Sequence, residues 1–478
     1  MRSGLCLFAI LVGAGGSPPA SVAQEPPYDL VIRGGRVIDP ETKIDRVANI
    51  GIRGATIVTV TDASITGNRV IEARGRVVAP GFIDILSGGF TREGSRYKVT
   101  DGVTSILLMH GGPVKVAAWY DSLARGGMHV NFGTTVGHGA LRLAVGATDR
   151  DKPATPEQQA EMVRLARRAI MEGAVGIGFG VQYTPGASEE EVLELFRLGA
   201  ELGVPAHLHT RFLGPLPPEN SVKGIQEVIA DAAATGVSAQ VVHLNSISVV
   251  QRGVETALEL IAGARARGID VMADAYPWEA GSTGLESAVF DPGWQQRMTI
   301  TYSDIELVKT GERLTEATFK QYREDGKPDG VVIHFVTKGA NVAALTNPLV
   351  MVGSDGGILD GRGHPRGAGT YAKILREYVR EGRQLTLMEA IRKMTLMPAE
   401  RLVKAAPVMR RKGRLSAGAD ADIVVFDPTR VRERATYANP AQYSEGFDYV
   451  VVNGVVVVDG GKLIDGTTAG RPIRGAPQ

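Results

Sequence analysis

Cysteine is all but missing from this sequence: Cys6 is the single one in 478 residues. A disulfide framework is excluded, because one cysteine has no partner. Any metal or nucleophile argument therefore falls on the 8 histidines. An excess of charge of either sign is lacking too. Lys and Arg number 53 against 52 Asp and Glu, a net charge of +1 that gives no footprint for a nucleic acid or another polyanion. The basic run Arg410-Arg411-Lys412 is too short to change this and reads as a solvated turn. No phosphate cradle is present either: Gly88-Gly89 and Gly111-Gly112 lack the spacing of a Gly-x-x-x-x-Gly-Lys-Ser/Thr loop. With 44% hydrophobic and 22% charged residues, the chain can build a core and is not a disordered one. Glycine is plentiful, at 60 residues without a collagen period, which predicts many tight turns between short elements.

The first 23 residues read as a secretory signal peptide: Arg2, the apolar run Leu5 to Val12, then Ser21-Val22-Ala23 as a small-residue cleavage site. A retained membrane anchor needs roughly 20 apolar residues, and Gly13, Gly15 and two prolines break this run. The expected product is exported, periplasmic or secreted, has no membrane span, and has lost Cys6 with the leader.

Residues 24–80 and 407–478 show short β-type runs punctuated by glycine, such as Leu30 to Ile32, Ala48 to Ile52, Asp422 to Phe426 and Val455 to Val458. They predict one small β-sandwich built from both chain ends. Between them, 81–406 alternates strand and helix patterns. Ile83 to Leu86, Thr104 to Met109, Val130 to Thr134, Ala174 to Phe179, Ala206 to Thr210, Ala239 to Leu244, Ile269 to Ala273 and Val350 to Ser354 are eight strands, most buried on both faces. Ser188 with Glu191, and Thr386 with Glu389, carry capping-box spacing at helix starts. The fold class is α/β, a TIM-type (β/α)8 barrel whose functional groups belong at the C-terminal ends of the strands. An insertion around 279–330 interrupts the alternation and is placed at the barrel mouth, as a lid or a surface subdomain.

The histidines fall at such strand ends. His209 ends the fifth strand, with His207 two residues before it on the same face, and His243 ends the sixth. Asp355 follows the eighth. Two imidazoles and a carboxylate delivered to one mouth suit a mononuclear zinc site with an open position for water. Scattered polar strand ends are the other reading of the same spacing. His110 and His138 follow the second and third strands and reach either the pocket or a supporting hydrogen bond. His129 begins its strand and belongs to the opposite face.

An ordered set of motifs runs from about Tyr28 to Gly475. It comprises Gly81-Phe82-Ile83-Asp84, Asp101-Gly102-Val103-Thr104, Gly137-His138-Gly139, Gln182-Tyr183-Thr184-Pro185-Gly186, His209-Thr210-Arg211, Asp274-Ala275-Tyr276-Pro277, Ser354-Asp355-Gly356 and His364-Pro365-Arg366. It resembles the N-acyl-D-amino-acid deacylase (D-aminoacylase) branch of the amidohydrolase superfamily. The resemblance implies zinc at the barrel mouth and hydrolysis of an acyl amide. His209 and His243 would be metal ligands, Asp355 the base and then acid, and Tyr183 a neighbour of the scissile carbonyl. Arg366 would take the substrate carboxylate, with Arg211, Asn245, Tyr276, Ser282 and His364 completing the substrate-binding set.

Three positions depart from the branch. The first-strand Asp-x-His-x-His reads Asp84-Ile85-Leu86-Ser87-Gly88, the bridging cysteine falls at Gly111, and Asn245 stands where a lysine is common. Leucine and glycine side chains offer no lone pair, so a binuclear centre lacks its usual ligands. His110 is the most economical substitute, giving His110, His209 and His243 with Asp355 beside them. The expected cofactor is then one divalent metal, Zn2+ first, with a metal-free site as the other reading. The expected partner is a small carboxylate-bearing amide. Acid-base chemistry of another type (a lyase, an epimerase or cyclic-amide opening) and a non-catalytic ligand-binding homologue are the alternatives to one-metal hydrolysis.

Overall fold

The computed structural model describes residues 1, 27–326 and 330–476, so the leader apart from Met1 lies outside the described residues. Among the described residues, no helix is long and apolar enough to cross a membrane.

Both chain ends meet in one nine-stranded sheet. Its two halves are sewn together where Val77–Pro80 runs antiparallel to Ile423–Phe426, with Ile423 opposite Pro80 and Phe426 opposite Val77. Side chains alternate across a strand, and here both faces are used. Ile423 and Val425 enter a core of their own with Ile32, Val37, Ile50 and Val78. Val424 and Phe426 point the other way, into the large core shared with the barrel. The sandwich is therefore clamped to the barrel by the same strands that hold it together.

The barrel strands are Phe82–Asp84, Val103–Leu108, Asn131–Thr134 continued by Val136–Gly137, Ile177–Gly180, Ala206–His209, Ala239–Val241, Val271–Ala275 and Val350–Val352. Neighbours pair in parallel throughout. The third strand is split at Thr135: its first piece pairs with the second strand and its last piece with the fourth. Closure runs through the first and eighth strands. Asp355 N donates to Leu86 O at 2.6 Å, and Ser354 N to Asp84 Oδ1 at 2.8 Å. Lys98, from the helix Arg92–Val99, locks this seam. Its buried ammonium donates to Asp84 Oδ2 at 2.9 Å, to Ser354 Oγ at 2.7 Å and to Gly356 O at 2.7 Å, leaving none of its three protons unpaired.

The capping box at Thr386 and Glu389 is complete. The one at Ser188 is half made: Ser188 accepts from Glu191 N, but the Glu191 carboxylate turns inward. There it takes Arg142 Nη1 at 2.7 Å and His138 Nε2 at 2.7 Å. His138 is thus committed to a buried ion pair behind the barrel wall.

The insertion forms an antiparallel sheet of Ala280–Gly284, Gly330–His334 and Ile305–Leu307. It has its own aromatic core, in which Trp294 stacks on Phe319 at 5.3 Å between ring centroids. Leu213 and Tyr183, from the barrel's loops, pack against that core, which sets the insertion across the barrel mouth.

Candidate active site

A cavity opens at the C-terminal ends of the strands, beneath the insertion. Its wall combines His110, Tyr183, His209, His243, Tyr276, Asp355 and Arg366 from the barrel with Ser282, Thr283 and Val289 from the insertion. His243 and Asp355 both lie in the left-handed backbone region, at φ 32° and 50°. Each such non-glycine residue costs on the order of 1–3 kcal/mol, which the surrounding structure must hold in place. The consequence is local: both side chains are turned off the ends of their strands and into one space.

His110, His243 and Asp355 offer ligand atoms that all lie within 4.8 Å of one another. His110 Nε2 is 3.8 Å from Asp355 Oδ1, and His243 Nε2 is 4.0 Å from Asp355 Oδ2. His209 lines the same cavity, its ring 4.7 Å from that of His243 and 5.0 Å from Tyr183. It is not part of the three-donor group, so the expected ligand set is met by three of its four members. Both of its ring nitrogens are buried without a partner.

Burial is the leading cause that lowers the pKa of all three histidines, for His209 and His243 well below the ordinary value. They are therefore neutral at pH 7 and keep a lone pair for a metal. For His243 the tautomer follows from its surroundings. Ser246 Oγ lies 3.1 Å from His243 O and 2.8 Å from His243 Nδ1. The tautomer that suits a metal is the one in which Ser246 donates to the carbonyl and accepts from Nδ1–H, leaving Nε2 its lone pair. Sequence reasoning missed Ser246; its only signal is the three-residue spacing after His243 on a short helix.

Asp355 has a counter-ion. Arg366 Nη2 stands 2.8 Å from Asp355 Oδ2, and the guanidinium lies over the Tyr276 ring at 4.6 Å. Burial would lower the Arg366 pKa, but Asp355 and the tyrosines Tyr276 and Tyr183 outweigh it and hold the cation. Its Nε and Nη1 have no partner although the side chain is only 4% exposed. The guanidinium lines the cavity and places a cation in its wall beside Asp355. Burial raises the pKa of Tyr183, and that of Tyr276 to about 12, so both hydroxyls stay protonated donors.

Three expected substrate contacts lie elsewhere. Asn245 is buried beneath the site, its amide donating to Tyr276 O at 3.0 Å and Asn341 Oδ1 at 2.8 Å. Arg211 pairs with Glu227 at 2.7 Å and faces a neighbouring chamber. His364 Nδ1 accepts from Arg366 N at 3.0 Å, with its ring packed against Tyr437 and Trp278. Asn245 and His364 support the cavity from behind, and a ligand there meets Arg366, Tyr276 and Ser282.

Comparison with known proteins agrees with this geometry. An amidohydrolase family model matches residues 337–458. The chain is 32% identical to N-acyl-D-glutamate deacylase of Alcaligenes xylosoxydans over 467 residues, covering 90% of this chain and 93% of that one. It is 32% identical to D-aminoacylase of the same organism over 479 residues, covering 91% and 96%. Among solved structures, N-acyl-D-glutamate deacylase of Bordetella bronchiseptica, complexed with zinc and a phosphonate mimic of the tetrahedral intermediate, superposes with a TM-score of 0.82 at 27% identity over 94% of this chain and 100% of that one. L-hydantoinase of Arthrobacter aurescens shares the fold, with a TM-score of 0.63 at 16% identity, covering 94% of this chain and 100% of that one. The chain belongs to the D-aminoacylase branch of the amidohydrolase superfamily.

Proposed function

We propose that this enzyme hydrolyses the amide bond of an N-acyl-D-amino acid with a free carboxylate, using one divalent metal, zinc, and that it works outside the cytoplasm after loss of residues 1–23. The observation that carries the reading is the convergence of His110, His243 and Asp355 within 4.8 Å, next to the Arg366 guanidinium.

The residues present fit one metal. His110 Nδ1 and both nitrogens of His209 are buried without partners, and His243 Nε2 faces the cavity. His110, His243 and Asp355 would hold the ion, with His209 at hand from the fifth strand. A second ion finds no such donors at the first strand. Leu86 and Gly88 have none, and Asp84 is taken by Lys98 and Ser354. D-aminoacylase, with a TM-score of 0.81 to this chain, is described as activated by one metal and attenuated by a second; a site limited to one suits that behaviour. When bound, the ion would supply Lewis-acid chemistry, lowering the pKa of a water to about 7.

The chain's own groups do the rest. Arg366, the cation of the cavity wall, binds the carboxylate and so fixes where the amide lies. Asp355 takes a proton from the attacking water and returns it to the leaving nitrogen, which departs as an amine. The Tyr183 hydroxyl donates to the carbonyl oxygen as negative charge builds on it. The insertion keeps bulk water out. Titrating the metal-stripped protein with zinc while following release of leucine from N-acetyl-D-leucine tests the reading. Activity is expected to rise to a maximum at one equivalent. No turnover at any loading would overturn it.

A further inference from the structure

The reaction cavity draws its charge and its apolar surface from different parts of the chain. Every ionisable group in its wall stands on the barrel. The insertion answers with an apolar face: Val289 and Ile333 belong to it and Phe335 follows its last strand, while Leu213 and Ile247 extend the face from the barrel's loops. Leu213, Ile247, Val289 and Ile333 are each no more than 6% exposed, so a group laid against them leaves water. Phe335 owes its position to a missing side chain. A Cβ on Gly281 would stand 2.9 Å from the Phe335 ring, so glycine at 281 is what lets the ring rest against the strand Ala280–Gly284.

Positive charge in the wall amounts to a single guanidinium. Among the described residues Arg366 is the one Lys or Arg that lines the cavity. Burial keeps His110, His209 and His243 neutral. Other cations about the barrel's loops are committed: Arg211 to Glu227, and Lys373, over the Trp278 ring, to Glu377. Arg366 serves one substrate carboxylate, the one beside the scissile amide. A second carboxylate, on the amino-acid side chain or on the acyl group, would lie desolvated against apolar side chains without a counter-ion, and burying an unpaired charge is strongly unfavourable.

We infer that the enzyme is restricted to substrates with a single negative charge, N-acyl-D-amino acids whose side chain and acyl group are both uncharged and apolar, and that the face formed by Val289, Ile333 and Phe335 imposes the restriction. This rests on the hydrolase reading above and narrows it. Two of the similar proteins are named for N-acyl-D-glutamate, a substrate with two carboxylates; the wall of this cavity provides for one.

Five substrates of the metal-loaded enzyme test this. N-acetyl-D-leucine, N-acetyl-D-glutamine and N-acetyl-D-glutamate vary the side chain, and glutamine and glutamate match in size while differing in charge. N-butyryl-D-leucine against N-succinyl-D-leucine varies the end of the acyl group. The kcat/KM for N-acetyl-D-leucine should exceed that for N-acetyl-D-glutamate by about 100-fold, with N-acetyl-D-glutamine between them, and the butyryl substrate should exceed the succinyl one likewise. Val289→Lys puts a cation into the apolar face. It should raise a charged-to-neutral ratio by about tenfold, glutamate over glutamine or succinyl over butyryl according to the arm it meets. Leu213→Lys reads the same ratios from the barrel side, in case the first variant folds poorly. Glutamate turned over as fast as glutamine, or succinyl as fast as butyryl, overturns the single-charge assignment and leaves the hydrolase reading standing. Ratios unmoved in both lysine variants overturn the role of the apolar face. No turnover of any substrate overturns both readings.

Discussion

Arg366 is the residue on which the substrate assignment turns, and Arg366→Met is the sharpest perturbation of it. The substitution keeps much of the packing over Tyr276, where the guanidinium lies 4.6 Å from the ring, and removes the charge. Two effects follow, and they must be separated. Asp355 loses the Nη2 contact at 2.8 Å, which slows every substrate alike if Asp355 is the base proposed above. A substrate carboxylate in addition loses the pair of hydrogen bonds that the guanidinium offers it from the cavity wall. Hydrogen bonds to charged groups contribute about 1.5–3 kcal/mol each. Taking about 3 kcal/mol for the pair, binding of a carboxylate falls by about 150-fold relative to a neutral group. The assay is kcat and KM for N-acetyl-D-leucine and for its carboxamide, in both proteins. Dividing one substrate's loss by the other's cancels the Asp355 effect, as in a double-mutant cycle. The expected outcome is a wild-type preference for the carboxylate that collapses towards unity, mostly through KM. If both substrates weaken equally, Arg366 does not hold the carboxylate.

Metal content checks the ligand set. The purified protein should hold close to one divalent ion per chain, and His110→Ala and His243→Ala should each lose most of it. His209→Ala should retain more, since its nitrogens lie outside the three-donor group; unchanged content in the first two variants would sink the assignment. Glu191 predicts acid sensitivity. Burial pushes its pKa up, but His138 and Arg142 outweigh that and hold it at about 2, below the ordinary 4.5. A depressed carboxylate stabilises the fold above its unfolded pKa and loses that contribution as pH falls from about 4.5 towards 2, here about 3 kcal/mol. Glu191→Gln should flatten this part of a pH–stability curve measured by urea unfolding, and an unchanged slope would refute it. Trp294→Ala removes the stacking partner of Phe319 and should cost about 3–5 kcal/mol in the insertion. Limited proteolysis there should rise well before global unfolding, and KM should rise with it.

The barrel was legible because parallel strands covered on both faces leave continuous apolar runs, and eight such runs in this sequence coincide with eight observed strands. The composite sheet was legible for the opposite reason: strands such as Ile423–Phe426 send alternate side chains to two different cores. What could not be read is where a strand changes partner. Thr135, where the third strand splits between its neighbours, is an ordinary strand residue in sequence, and nothing local marks the switch. The inward turn of Glu191 was hidden likewise. Its spacing from Ser188 satisfies a capping box, but a buried Arg142 and His138, some 50 residues earlier in the chain, compete for the carboxylate and win.

The same competition decides the site. Strand-end placement brought His110, His209, His243 and Asp355 to one mouth, since the barrel's parallel register aligns all its strand ends. It could not say which polar residues beyond the strands face the ligand. Arg211 lies two residues after His209, so on a continuing strand it would point the same way. The strand stops at His209, and Glu227 on the following helix offers a bidentate partner; the guanidinium goes there. Asn245 lies two residues after His243, yet the left-handed turn at His243 starts a short helix. Asn245 is carried under the cavity floor to the carbonyl of Tyr276. Arg366 differs in one respect: its carboxylate partner, Asp355, itself lines the cavity, so the guanidinium stays at the site. What separates Arg366, the proposed substrate contact, from Arg211 is therefore where the partner carboxylate sits, Asp355 in the cavity wall and Glu227 outside it, a property of the folded neighbourhood that no spacing along the chain records.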